Sequence, residues 1–416
     1  MQKKPAGKLN ATVLRSIPRG IWALGIVSLL MDISSEMIHA LLPIYLVTVL
    51  GASTLSVGII EGIAEATANI MKVFSGAFSD WLGRRKLLTT LGYGLAAMTK
   101  PMFPLAPGIG WIVAARFIDR IGKGIREAPR DALIADLTPK GLRGASFGLR
   151  QSLDTIGAFT GPLLAMVLMW TTGNQFKVIF WIAVVPAFLA VALMIAAVEE
   201  PDRPKERRAV AEPLGMTELG KLGTVCWMIV AVGTIFGLAR FSEAFLILKA
   251  NAAGLPIAFV PAVLVVMNVV YAMAAYPVGV LSDRGNRTLL LIFGLIFLAI
   301  ADLFLAFSPD LFGVAIGVML WGMHMAFTQG VLAAMIADAA PAELRGTAFG
   351  VFNLGTGLAM LVASIMAGGL WDAFGPKVTF LAGATFAGLA LAGLIIIRRR
   401  IDPKNEKSSS VAASMT

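Results

Sequence analysis

Twelve runs of about 20 mostly apolar residues constrain this chain more than any other feature. They are centred near Leu30, Asn69, Leu95, Arg120, Phe159, Pro186, Gly233, Val266, Phe297, Met323, Met360 and Ala387. A helix of that length crosses a hydrocarbon layer of roughly 30 Å, and tilt absorbs the longer runs. A transmembrane barrel does not fit, because barrel strands alternate apolar with polar residues and these runs are continuous. With 57% hydrophobic and 14% charged residues, the chain of 416 also falls outside soluble domains, which carry about 45–50% and about 25%. The expected fold class is an all-α membrane protein of about twelve transmembrane helices. The run after the basic stretch Met1 to Arg19 is too long for a signal peptide and is read as a retained first span. Cys226 is the sole cysteine, which excludes an internal disulfide or a thiolate metal cluster.

The net charge of +10 reports topology. Lys3, Lys4, Lys8, Arg15 and Arg19 precede the first span, and Arg84, Arg85 and Lys86 join the second to the third. Lys140, Arg143, Arg203, Lys205, Arg207, Arg208, Lys221, Arg284, Arg287, Arg345 and Arg398 to Arg400 follow on the same side. The opposite loops are nearly free of Lys and Arg, with Lys177, Lys249 and Lys377 as exceptions. The positive-inside rule then places both termini in the cytoplasm, and the expected site is a bacterial inner membrane. Nucleic acid is not an expected partner, since no basic stretch is interleaved with aromatics.

The polar segment from Glu199 to Leu222, with Pro201, Pro204 and Pro213, divides the chain into related halves. Ala132 to Gly148 (ALIADLTPKGLRGASFG) aligns without gaps to Ala334 to Gly350 (AMIADAAPAELRGTAFG), at an offset of 202. Gly76 to Arg84 (GAFSDWLGR) aligns to Gly279 to Arg287 (GVLSDRGNR), at an offset of 203. The expected organisation is a six-helix bundle over 1–198, a linker over 199–222, a second bundle over 223–398 and a disordered tail over 399–416.

On these residues the sequence resembles the major facilitator superfamily over essentially its whole length. Gly76, Asp80, Gly83, Arg84 and Arg85 match the family's signature for the loop between the second and third spans. The second copy departs from it, because Gly285 falls one position early and Asn286 replaces a glycine, so a different turn is expected. The resemblance implies a cytoplasmic gate built from Gly76, Asp80, Gly83, Arg84, Asp136 and Arg143 in one half and Gly279, Asp283, Arg287, Asp338 and Arg345 in the other. It also implies a central cavity lined by spans 1, 4, 7 and 10. Gly157, Gly161 and Pro162 resemble the core of the signature of drug-exporting members, although its following glycine pair is missing. The small residues permit close helix packing, and Pro162 bends the helix.

The fourth span carries Arg116, Asp119, Arg120, Lys123, Arg126, Glu127, Arg130 and Asp131. They cover about 22 Å at 1.5 Å per residue, within an arc of roughly 140° at 100° per residue. At about 2.5–3.5 kcal/mol for each charge at mid-membrane, this stripe cannot face lipid. It is expected to border a watery cavity, with opposite signs paired, and Asp119 with Lys123 has i, i+4 spacing. Further candidates for the cavity are Asp32, Glu36 and His39 on span 1, Glu61 and Glu65 on span 2, Asp154 on span 5, Arg240 and Glu243 on span 7, and His324 on span 10.

Glu36 and Glu243, each in a Ser-Glu dipeptide on the first helix of its half, are the leading proton carriers. The alternative is a permanently ionised carboxylate, paired to the fourth span or to Arg240. Arg126, Arg130 and Arg240 either clamp an anionic substrate or neutralise Asp119, Asp131 and Glu243. His39 and His324 read better as hydrogen-bonded structural histidines than as metal ligands, and no metal or cofactor is expected beyond a proton gradient. The expected function is secondary transport of a small solute by alternating access, as proton-coupled efflux, in a monomer. Proton-coupled uptake of an organic anion is the alternative. A membrane enzyme or sensor is disfavoured, because phosphate-loop, nucleophile-elbow and metalloprotease motifs are lacking.

Overall fold

The computed structural model describes residues 16–82, 84–200, 219–341 and 344–401. Lys3, Lys4, Lys8 and Arg15, the linker charges Arg203 to Arg208, Gly83 and the tail from Lys404 to Thr416 lie outside the described residues. The described residues are helical, with no strand among them. The helices are α1 (Arg19–His39), α2 (Leu42–Thr48), α3 (Thr54–Leu82), α4 (Arg85–Thr99), α5 (Ile109–Leu137), α6 (Arg143–Thr171) and α7 (Phe176–Ala197). After the linker come α8 (Gly223–Ala239), α9 (Ala244–Ala252), α10 (Ala262–Arg284), α11 (Arg287–Phe307), α12 (Leu311–Ala339), α13 (Arg345–Phe374) and α14 (Pro376–Ile401). The pairs α1–α2 and α8–α9 are each one span broken in two, so the helices match the twelve runs. Nine spans among the described residues are long and apolar enough to cross a membrane. The other three fall short for visible reasons: α4 has only 15 residues, and α3 and α5 are interrupted by charges.

Local sequence explains several boundaries. Asn286 and Asp310 cap α11 and α12, their side-chain oxygens accepting from the N–H of Leu289 and Gly313. Gly375, at φ +80°, stops α13, and Pro376 opens α14 where no N–H is needed. Pro43 has no N–H for the His39 carbonyl, so the first span breaks at Ala40 and Leu41.

The chain forms two compact units, one of residues 1–41 with 71–211 and one of residues 42–70 with 212–416. In the first, α1 packs along α6 and α7, and α4 packs on α5 and α7. In the second, α8 packs along α13 and α14, and α11 packs on α12 and α14. The contact plan therefore repeats, and so do the cores. Leu24, Val27, Tyr93 and Ile134 are buried in the first unit. Cys226, Ile229, Leu295 and Ile336, each 202 residues later, are buried in the second. Glycines set the closest approaches. A Cβ on Gly92 would lie 2.7 Å from the Gly122 carbonyl oxygen, and one on Gly122 would lie 2.7 Å from that of Gly92, so α4 and α5 touch backbone to backbone.

The second unit includes α2 and the first half of α3. There α3 lies on α13, with no room for a Cβ at Gly58 (2.2 Å from the Ser364 carbonyl oxygen) or Gly368 (2.5 Å from that of Thr54). Asp372 supplies the N-terminal cap of α3 from 318 residues away. Its Oδ1 accepts from the Thr54 N–H and hydroxyl, and its Oδ2 accepts from the Leu55 N–H at 2.9 Å. Asp372→Ala is expected to lower stability by about 1 kcal/mol, seen as a lower thermal midpoint in detergent. Asp372→Asn, which keeps the acceptor for Thr54, is expected to recover most of that loss.

Candidate functional site

The charges of α5 are built into the first unit by side chains of its neighbours. Arg116, Asp119, Arg120, Arg126 and Arg130 are all buried, at 2–6% exposure, and Lys123, Glu127 and Asp131 are half-buried. The stripe therefore lies against protein in this structure, with charges of opposite sign paired as expected. Asp119 does not use its i, i+4 neighbour Lys123. Its Oδ1 accepts at 2.8 Å from Lys100 Nζ at the end of α4, which also donates to Ser35 Oγ on α1 at 2.9 Å. Arg120 Nε stands 4.0 Å from Asp119 Oδ2. Glu127 pairs with Lys72 of α3 at 3.1 Å. Arg130 donates to Ser28 Oγ at 3.0 Å and to Asp131 at 3.2 Å, and Ser28 shares a hydrogen bond with Tyr93. The Arg126 guanidinium lies over the Tyr93 ring, 4.7 Å from its centre, and its Nε and Nη1 have no hydrogen-bond partner among the described residues.

The small-residue motif of α6 sits on the backbone of α1 at the positions of Asp32 and Glu36. A Cβ on Gly157 would lie 2.8 Å from Asp32 Cβ, and one on Gly161 would lie 2.7 Å from Glu36 Cβ. Asp32 shares its electrostatic surroundings with Asp154, Arg126, Lys123 and Arg130. Asp154 pairs with Arg150 at 3.2 Å, one turn earlier on α6. Glu36 pairs with His39 Nδ1 at 3.2 Å. Glu61 is buried and Glu65 half-buried on the part of α3 that belongs to the second unit.

In that unit, Arg240 to Glu243 form the break between α8 and α9, and Arg240 donates to Glu243 within it. Ser364 Oγ accepts from the Ser242 N–H, and Ser242 Oγ accepts from the Ala244 N–H, which satisfies the backbone freed by the break. Glu36 and Glu243 are not repeat equivalents, since Glu36 plus 202 is Leu238. His324 is buried with Nδ1 2.9 Å from the Gly294 carbonyl oxygen, so its ring is committed to α11. In the same unit, α10 and α12 line a cavity of about 400 Å³ that includes Tyr271, Tyr276, Ser282 and Gly330.

At the loop signatures the structure corrects one register. Arg85, not Arg84, donates to Asp136 at 2.8 Å and to the Ala132 carbonyl at 2.8 Å. Arg84 is the exposed residue before α4. In the second unit Arg287 pairs with Asp338. Arg85 and Arg287 are 202 residues apart, as are Asp136 and Asp338, so the signature's offset of 203 ends one residue short of the arginine. Gly285, which looked displaced, is the 202-offset counterpart of Gly83. A Cβ on Gly76 would meet Ala128 Cβ at 3.5 Å, an ordinary contact, and Gly279 has nothing within 4 Å, so neither glycine is at a close backbone approach here. Arg143 is exposed, and Arg345 bonds the Ala337 carbonyl at 3.0 Å. The side chains of Asp80 and Asp283 lie outside the described residues. Arg85→Ala is expected to lower the thermal midpoint and Arg84→Ala to leave it unchanged, at a scale of at most about 1 kcal/mol because these pairs are near the surface.

Lys100 is a functional position that the charged stripe of the fourth span does not point to. The spacing of Tyr93, Ala96, Ala97 and Lys100, all on the buried face, was the available signal that it points inward.

The sequence profile of the Major Facilitator Superfamily matches residues 24–267 and again residues 233–414. The chain belongs to the major facilitator superfamily. It is 33% identical over 397 residues to an uncharacterized MFS-type transporter of Methanocaldococcus jannaschii, covering 92% of this chain and 95% of the relative. It is 29% identical over 156 residues to the multidrug resistance protein MdtH of Photorhabdus laumondii, covering 37% of each. Among solved structures, the nucleoside transporter NupG superposes with a TM-score of 0.76 at 13% identity, over 92% of this chain and 100% of NupG, a likeness of fold. This superfamily member is thus a multi-pass membrane transporter.

Proposed function

We propose that this transporter exports a small solute in exchange for protons across the cytoplasmic membrane, both termini inside, by alternating access to its charged interior. The observation that carries the reading is the seating of Gly157 and Gly161 on Asp32 and Glu36. Protonation of either carboxylate changes the charge of a side chain that leaves α1 at a close helix contact, where a small change in pairing alters packing. Asp32 and Glu36 are the coupling candidates in the first unit and Glu243 in the second, with Glu36 beside His39 and Glu243 beside Arg240. The name of MdtH and the partial exporter signature in α6 support the outward direction.

A second reading, uptake of an organic anion with protons, is favoured by Arg126, whose unused N–H groups suit a carboxylate or phosphate. Everted vesicles separate the two. With an acid interior reported by a quenched dye, a panel of lipophilic cations and organic anions is added to vesicles carrying the protein. The export reading expects some members of the panel to release the quench, and Glu36→Gln to abolish that release. A solute that moves only with protons towards the cytoplasmic face refutes export.

A further inference from the structure

Asp302 of α11 is wholly buried, and neither of its carboxyl oxygens has a hydrogen-bond partner among the described residues. The internal repeat shows what this position does elsewhere. An offset of 202 pairs Asp302 with Lys100 and Trp321 with Asp119. In the first unit those two positions hold the buried Lys100–Asp119 ion pair. In the second, the equivalent residues are an acceptor without a donor and a donor without an acceptor, for Trp321 is also fully buried with its Nε1 unpartnered among the described residues. The titratable groups of the elements around α11 are engaged elsewhere. His324 meets the Gly294 carbonyl, Lys249 donates to the Ser308 carbonyl, Arg240 holds Glu243, and Lys377 lies over the Phe307 ring. Tyr271 of α10 lines the cavity against α12.

We propose that Asp302 is a proton-binding site, with a proton taking the place that a lysine ammonium holds in the first unit. An ionised carboxylate with no partner is far too costly in such surroundings, so the packing seen here holds the neutral acid. The way out passes Phe241. Its ring belongs to the break that carries Arg240 and Glu243, stacks 5.4 Å from Trp321, and borders Gly383 beside Asp302. A Cβ on Gly383 would lie 2.5 Å from Asp302 Oδ2, so glycine is what leaves room for the carboxyl. Phe241, Gly383 and Thr379 also line a cavity of about 10 Å³, close to the least that holds one water. Movement of the break shifts Phe241, and the Asp302 O–H bond then gives its proton to water entering there. The carboxylate left behind takes the Trp321 N–H as donor.

The inference rests on proton coupling as proposed above, and its test reads the carboxyl directly. Infrared spectra of the full chain in lipid are expected to contain a protonated-carboxyl band that shifts in D2O, disappears as the pH is raised and is missing in Asp302→Asn. Trp321→Phe, which removes the donor to the carboxylate, is expected to move that loss to higher pH. An Asp302→Asn spectrum that keeps every protonated-carboxyl band of the parent, or an Asp302 band that neither titrates nor exchanges with D2O, overturns the proposal. A titrating Asp302 band together with no solute-driven proton flux in everted vesicles would leave this site standing and remove the export reading.

Discussion

Asp119→Leu is expected to lose about 3–5 kcal/mol of stability, among the largest effects of any single change, because it strips a buried ammonium of its counter-charge. Lys100 is 2% exposed and its Nζ donates to Asp119 and Ser35, so without Asp119 the serine hydroxyl would be its remaining partner among the described residues. Thermal unfolding in detergent should show a collapse of the midpoint or a failure to accumulate. The double variant Lys100→Met with Asp119→Leu removes both charges at similar volume and is expected to recover most of the loss. If the pair were a solvated surface contact, neither single change would matter by more than about 1 kcal/mol.

Gly161→Leu is expected to prevent α6 from seating on α1. Even the Cβ would lie 2.7 Å from Glu36 Cβ and 2.8 Å from the Ile33 carbonyl oxygen, and the backbone of α1 cannot move aside as a flexible side chain would. Overpacking of this kind costs about 1–3 kcal/mol and more where backbone must shift. Size-exclusion profiles should turn polydisperse and the thermal midpoint should fall. Gly148→Leu is the matched control on the same helix. Gly148 is exposed with nothing within 4 Å of its would-be Cβ, so this change is expected to be neutral or to stabilise by about 0.8 kcal/mol through helix propensity.

The helical architecture was legible because a spanning helix must be long and apolar, and the repeat was legible because pseudo-equivalent positions keep their burial. Leu24 and Cys226 show the second point: different residues with the same place in the core. The pairing of the charges was not legible. Helical periodicity correctly put eight charges on one face of α5, but it cannot say which neighbouring helix supplies the partner. Spacing along α5 suggested Lys123 for Asp119, while the fold delivers Lys100 from α4. The gate arginine was misassigned by one residue because a short deletion in the second copy shifts the alignment between Asp283 and Arg287. The break at Arg240 to Glu243 carries no proline or glycine and depends on Ser364 of α13, a contact that local sequence does not announce.

The charged face of α5 is enclosed by protein, and its opposite face is expected to meet lipid. Spin labels placed one at a time from 111 to 131 in the reconstituted full chain, read for oxygen accessibility, test it most directly. Maxima are expected at 111, 114 and 117, the exposed positions, and minima at 116, 119, 120, 126 and 130. A flat profile, or maxima at the charged positions, would contradict the account.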